Sequence, residues 1–265
     1  MRESFPHARV VTAERNRGFA ATVNRGVAAG SAPVVVLLNN DVAVRPDFLG
    51  HVSATLARDD RVGAVAPTLA RPDNRTIDSV GLAADPTLAG FPRQAGRPLD
   101  EAQLDRPRLA GPSGGAAAYR RAAWDEVGGL DEELFFYGED LDLALRLRAA
   151  GWETAAAPSA VGVHLGSATI GARSSSTRYH GGFSRGYMLR RYRVLRTAAA
   201  PRALATELFV AVADAVLSRD LQAARGRLAG WRAAAGKPSR QMPPPDAIEP
   251  AIGFVESLRL RWAAV

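Results

Sequence analysis

The sequence predicts an α/β fold, a mixed sheet flanked by helices over the first 170 residues and a helical region from there to residue 265. Three observations carry that reading. Val34 to Leu38 is a short apolar, β-branched run that stops abruptly at Asn39-Asn40-Asp41, the pattern of a buried parallel strand delivering polar groups to its carboxyl end. Asp131 to Trp152 reads DEELFFYGEDLDLALRLRAAGW, a glycine-bearing aromatic turn opening an amphipathic helix. Beyond Gly171 the chain carries three segments that read as helices, the first of them Arg-rich.

In chain order, Ala8 to Thr12 reads as a strand leading to a turn at Asn16–Phe19, and Gly18 to Ala29 as a helix introduced by that turn. After the Val34 strand, Asp47 to Leu56 is a helix capped near Pro46-Asp47, with Phe48, Val52 and Leu56 on one face. Val62 to Pro67 is a strand. From Arg71 to Pro112, Pro, Gly and Asp punctuate the chain, which predicts a strand at Asp78 to Leu82 and loop over most of Leu88 to Leu109. Ser113-Gly114-Gly115 leads a small-residue strand, Ala116 to Tyr119, and a short helix, Arg121 to Val127. The Arg-rich segment Arg178–Arg196 and the segments Ala203–Ser218 and Leu221–Ala235 follow as helices. Met242 to Pro245 marks a flexible linker near residues 236–250 before a short terminal helix.

Composition sets limits. At 265 residues, 47% hydrophobic and 23% charged, the chain is long enough for a substantial core. Without cysteine it has no disulfide, zinc-thiolate site or thiol nucleophile. No stretch reaches the ~18 apolar residues of a membrane span and the start shows no signal-peptide pattern, which predicts a cytoplasmic chain. From Gly171 to Val265, 16 Arg and Lys face 6 Asp and Glu, a surplus of +10, while the first 170 residues carry 18 against 21, or −3. Such a basic helical tail suits the anionic inner face of the cell membrane, or is a solvated Arg-rich surface. With few aromatics to stack bases and no recognisable nucleic-acid module, nucleic acid is not the expected partner.

The chemistry-bearing residues are few. Glu139 and Asp140 open a helix, where the dipole favours the ionised carboxylate a general base requires, although an acidic first turn is also ordinary capping chemistry. Asn39 and Asp41 stand at the carboxyl end of a strand, where open α/β sheets bind ligands, and Asp41 offers a hard oxygen ligand for Mg²⁺ or Mn²⁺ alongside substrate phosphate. The alternative is an Asn-rich turn. His164 follows an apolar stretch and is either a loop histidine or a metal ligand. A metal-dependent hydrolase built on Asp41, Asp140 and His164 is a weaker reading, since such enzymes usually supply more ligands.

The segments NRGFAATVNRGVAAG, LLNNDVAVRPDFL, SGGAAAYRRAAWDEVGGLDEELFFYGEDLDLALRLRAAGWE and VHLGS, in this order, resemble the family 2 glycosyltransferases, over roughly residues 8 to 200. The likeness is to the bacterial rhamnosyltransferase and galactofuranosyltransferase branch of cell-wall and polysaccharide synthesis. It implies a GT-A fold (a Rossmann-like mixed sheet flanked by helices) and inverting transfer from a nucleotide-sugar donor to a glycan or lipid-linked acceptor. It places the metal-binding DxD motif on Asn39-Asn40-Asp41, with Asn in the first acidic position, the base on Asp140 within the Glu139-Asp140 pair, and a metal-binding histidine on His164. It further implies donor or substrate contacts at Asn16, Gly18, Asn24, Asn39 and Asn40, small residues beneath the sugar at Gly114 and Gly115, and a wall at Tyr137. Family members carry about 50 to 70 further residues ahead of this point, with the first strand and an aspartate that grips the base. The likeness thus implies an N-terminally truncated domain, from a start codon placed too far downstream or as a remnant with an incomplete donor site and no catalysis.

Overall fold

The computed structural model describes residues 6–102, 107–165 and 174–263, with side chains to 261. Gly166 and Ser167 lie outside them. A six-stranded mixed sheet is built from β1 (Val34–Leu38), β2 (Val42–Val44), β3 (Val62–Ala70), β4 (Ile77–Ser79), β7 (Ala116–Arg120) and β8 (Glu153–His164), in the order β1-β7-β3-β8-β2 with β4 on β3. β7 runs antiparallel to both β1 and β3, and β3 runs parallel to β8, so β1, β3 and β8 point the same way. A separate ribbon pairs β5 (Leu82–Ala84) with β6 (Gly90–Pro92). The neighbours of the central β3 exclude water from all nine of its residues.

Helices cover both faces of the sheet. α1 (Phe19–Ala28), α3 (Arg121–Val127) and α4 (Glu139–Ala149) bury Ala20, Val27, Trp124, Leu143 and Leu147 against Val35, Ala64 and Tyr119. α2 (Phe48–Leu56) buries Phe48, Val52 and Leu56 against the opposite face, the stripe its spacing predicts. α5 (Ser175–Arg191), α6 (Ala200–Ser218), α7 (Gln222–Ala233) and α8 (Phe254–Ala263) form the basic C-terminal region. It joins the sheet half through several shared cores: Leu141 and Leu145 of α4 meet Met188, Leu189 and Tyr192, Leu134 meets Tyr187 and Ala234, and Phe91 meets Ile252.

The sequence misleads at four places. Val34–Leu38 is an edge strand whose one neighbour among the described residues is antiparallel, and Leu38 is exposed; an apolar run does not by itself distinguish an edge from a buried parallel strand. Ala8–Thr12 is exposed and irregular, with Arg9 donating to the Ala29 carbonyl. The strand expected at Asp78–Leu82 is split, because Gly81 (φ +80°) turns the chain where a Cβ would lie 2.6 Å from Leu109. The region 236–250 has little regular structure yet is pinned. Arg240 pairs with Asp131 and Asp142, Asp246 with Arg148, and the Glu249 carboxylate accepts from the Arg108 amide at 2.8 Å.

Candidate active site

Three remote segments meet beyond the carboxyl ends of β1 and β8. Asn39 to Asp41 carry the chain from β1 to β2, which pairs with the end of β8 at the other side of the sheet. There the Asn39 amide donates to the Gly115 carbonyl (3.0 Å), joining this turn to the start of β7. One residue earlier, the Gly114 amide donates to Asp140 Oδ2 (2.9 Å), and the Leu141 amide donates to Oδ1 (2.7 Å). A Cβ on Gly114 would stand 3.4 Å from Asp140 Oδ2, in van der Waals contact with the carboxylate. Gly115 packs differently, its α-carbon facing Leu69, and Ala116–Ala118 are sealed between the layers.

The turn before α4 needs Tyr137 and Gly138 in succession at φ +70° and +83°. Gly138 is required twice over, since a Cβ there would fall on the Ser184 hydroxyl of α5. Tyr137 remains 43% exposed beside the opening of α4, its ring 4.7 Å from that of Phe136. Behind it, Phe135 and Phe136 hold the ring of His180 at 5.0 and 4.6 Å, and burial lowers the His180 pKa.

The two carboxylates differ. Glu139 is 6% exposed, and its enclosed Oε2 has no hydrogen-bond partner among the described residues. Burial first and the neighbouring Asp140 second push it up to about 8. Burial also raises Asp140, but the Gly114 and Leu141 amides oppose the rise by stabilising its anion. At neutral pH Glu139 therefore keeps its proton, and Asp140, whose anion the two amides stabilise, is the carboxyl of the pair that ionises first. The expectation that the helix dipole keeps both ionised is corrected: for a carboxyl this enclosed, lost hydration outweighs the dipole. The native state then binds a proton between pH 4.5 and about 8 that the unfolded chain has released, so stability from neutral Glu139 is complete below 4.5 and declines as pH rises through that window. Glu139→Gln should remove this decline. Melting temperatures at pH 5, 6.5 and 8 should converge in the variant, and parallel wild-type and variant curves would contradict the assignment.

His164 closes β8 opposite Val42, with Nδ1 2.7 Å from Asp78 Oδ2 and Nε2 3.5 Å from Asp41 Oδ2. The Asp78 hydrogen bond and charge raise the His164 pKa above its ordinary value. Asp78, on β4, orients the ring so that Nε2 faces Asp41, and nothing local in the sequence marks it for that role. Asp41 Oδ1 is buried without a partner among the described residues, an orphaned acceptor beside the histidine. No group of three or more His, Cys, Asp or Glu suited to a metal occurs among the described residues. Asp41 and His164 alone fit an ion that draws its remaining ligands from water and phosphate. The Asn39 and Asn40 side chains make no hydrogen bond among the described residues, and Asn40 is exposed.

The remaining predicted contacts, Asn16, Gly18 and Asn24, each make a local structural contact. Asn16 Oδ1 accepts from the Gly18 amide (2.9 Å), and Gly18 (φ +92°) seats the turn against Phe135, where a Cβ would meet the carbonyl oxygen at 2.4 Å. The Asn24 side-chain amide pairs with both the carbonyl and the N–H of Leu130 (2.8 and 2.9 Å), bracing the start of the aromatic turn.

Residues 1–193 match the model of glycosyltransferase-like family 2. The chain belongs to that family. Within it, the chain is 29% identical over 185 residues to the N-acetylglucosaminyl-diphospho-decaprenol L-rhamnosyltransferase of Mycobacterium tuberculosis, a match covering 61% of this chain and 60% of that protein. It is also 34% identical over 120 residues to an uncharacterized protein of Mycobacterium bovis, covering 42% and 46%. The chain thus spans about 60% of the length of the rhamnosyltransferase. Two solved structures share its GT-A fold at a TM-score of 0.50 each. They are the mannosyltransferase PcManGT from Pyrobaculum calidifontis in complex with GDP-Man and Mn²⁺ (18% identity, 99% of this chain and 70% of that one) and GalNAc-T7 with UDP, GalNAc and Mn²⁺ (16% identity, 73% and 39%).

Proposed function

We propose that this family 2 chain catalyses inverting transfer of a sugar from a nucleotide-diphosphate donor to a hydroxyl of a glycan or lipid-linked acceptor in cell-wall or polysaccharide synthesis. The observation that carries the reading is the Asp140 carboxylate, which accepts from two backbone amides beside the Asn39–Gly115 junction while its neighbour Glu139 stays protonated. Asp140 takes the proton of the acceptor hydroxyl, and that oxygen bonds to the anomeric carbon on the face opposite the diphosphate. The bond from that carbon to the diphosphate breaks, and its electron pair leaves with the phosphate oxygen. Gly114 fixes the orientation of the base, and the exposed Tyr137 stands where it can wall the acceptor sugar. A divalent cation, Mg²⁺ or Mn²⁺, held by Asp41 and His164 with Asn39 beside them, would supply charge neutralisation at the diphosphate. The Mn²⁺ and nucleotide in the two structural neighbours, and the decaprenol-linked substrate in the name of the mycobacterial relative, support the donor and acceptor classes.

Among the described residues no helix is long and apolar enough to cross a membrane, so a lipid-linked acceptor calls for peripheral docking at the inner face, which the basic C-terminal region suits. Two outcomes test the site. Nucleotide diphosphate should appear only when acceptor is present, and release without acceptor would indicate hydrolysis. Asp41→Ala should weaken donor binding at least about tenfold in Mg²⁺ or Mn²⁺ and leave it unchanged in chelator, as measured by calorimetric titration. Asn39→Ala should have a smaller effect, and full activity in excess chelator would refute the metal role.

A further inference from the structure

α6 is turned inside out relative to an ordinary surface helix. Its charged and polar residues face the protein: Arg202 pairs with Asp85 (2.8 Å), Glu207 with Arg185, Arg227 and Arg261, and Asp214 with Arg178, while Thr206 is fully buried. Every exposed position of the helix is apolar. Leu204, Leu208, Phe209, Val212, Val216 and Leu217 are each more than half exposed, up to 71% at Val216, along a helix of 19 residues, about 28 Å long. Singly exposed apolar residues are ordinary, but an unbroken face of this extent on one helix marks an interaction surface. Val255, at the start of α8 near the first turn of α6, is 76% exposed as well. The adjoining turn and α7 supply Arg219, Arg225 and Arg232, all exposed and without an ion pair among the described residues.

We infer that this face of α6 lies in the interface of an anionic lipid bilayer, its apolar side chains at the level of the acyl boundary and the three arginines on lipid phosphates. An apolar helix face with exposed arginines in the turn and helix that follow it suits a helix that lies in the membrane plane without crossing it. Charge favours lipid over a second copy of the chain, since two copies meeting on this face would bring arginines of like charge together. The inference deepens the lipid-linked acceptor reading and rests on it for the choice of a bilayer; its test needs neither donor nor acceptor, so its failure would leave the transfer chemistry untouched.

The full chain should co-sediment with mixed phosphatidylcholine–phosphatidylglycerol vesicles and only weakly with phosphatidylcholine alone. Leu208→Glu with Val216→Glu should lower partitioning at least about tenfold at any salt concentration. Arg219→Glu with Arg225→Glu should weaken binding at low salt and flatten its salt dependence. All four positions are exposed, and unchanged circular dichroism and melting temperature would confirm that the variants fold. Equal binding by wild type and the Leu208/Val216 variant, or no binding by wild type, would overturn the proposal. So would a lipid-free dimer that this variant dissolves in sedimentation velocity while wild type ignores vesicles.

Discussion

Asp140→Asn should lower kcat for sugar transfer by about 10²-fold or more while leaving donor affinity unchanged. The amide is nearly isosteric, and its oxygen can still accept from the Gly114 or Leu141 amide that positions the carboxylate. What it cannot do is take a proton. Loss of one acceptor costs about 1 kcal/mol of stability, small enough for the folded variant to be assayed beside wild type. Glu139→Gln is the matched control: Glu139 is already protonated at pH 7, so the amide should keep activity within about tenfold. Because burial raises Asp140, the acid limb of the wild-type kcat profile should lie above the ordinary carboxylate range. Retention of more than about a tenth of the rate by Asp140→Asn, with a larger loss in Glu139→Gln, would move the base to the neighbouring residue.

Glu207→Ala should be the most damaging single change outside the site, costing about 3 to 5 kcal/mol of unfolding free energy. Glu207 is 8% exposed and accepts from Arg185 and Arg227 at 2.8 Å, with Arg261 at 3.0 Å. Burial acts to raise its pKa, but the three guanidinium groups reverse that and hold it far below the usual value. Removing the carboxylate leaves three cations facing one another with no counter-charge, and loosens the inner face of α6 from α5, α7 and α8. The sign of the pH effect follows from the depressed pKa: the stability is fully present above 4.5 and is lost as pH falls below it. Denaturant titrations at pH 7 and pH 4 should show a smaller acid loss in Glu207→Gln than in wild type. A cost below about 1 kcal/mol for Glu207→Ala would show that the arginines are solvated and the pairing contributes little.

What the sequence made legible follows physical range. The turn and helix at Tyr137–Ala149 could be read locally, because a glycine, an acidic first turn and a 3.6-residue period all lie within one segment. Asn39–Asp41 could be placed at a strand end for the same reason. Asp78 could not be found, since its role depends on a ring 86 residues away, and the bracing of Leu130 by Asn24 spans 106. The division of labour between Glu139 and Asp140 was hidden because adjacent carboxylates look alike until burial separates them. In α6 the sequence showed a helix but not that its polar side turns inward; that is decided by arginines on α5, α7 and α8. The apolar run at Val34–Leu38 gave a correct strand with the wrong neighbours, because pairing is set by β7, some eighty residues on.

The most direct test of the central claim is proton NMR of the anomeric signal during turnover of a nucleotide-sugar donor with acceptor present. Inverting displacement with Asp140 as base predicts a glycoside of anomeric configuration opposite to the donor, formed in step with nucleotide diphosphate and without free sugar. A product of retained configuration, or free sugar released at the same rate whether or not acceptor is present, would contradict it.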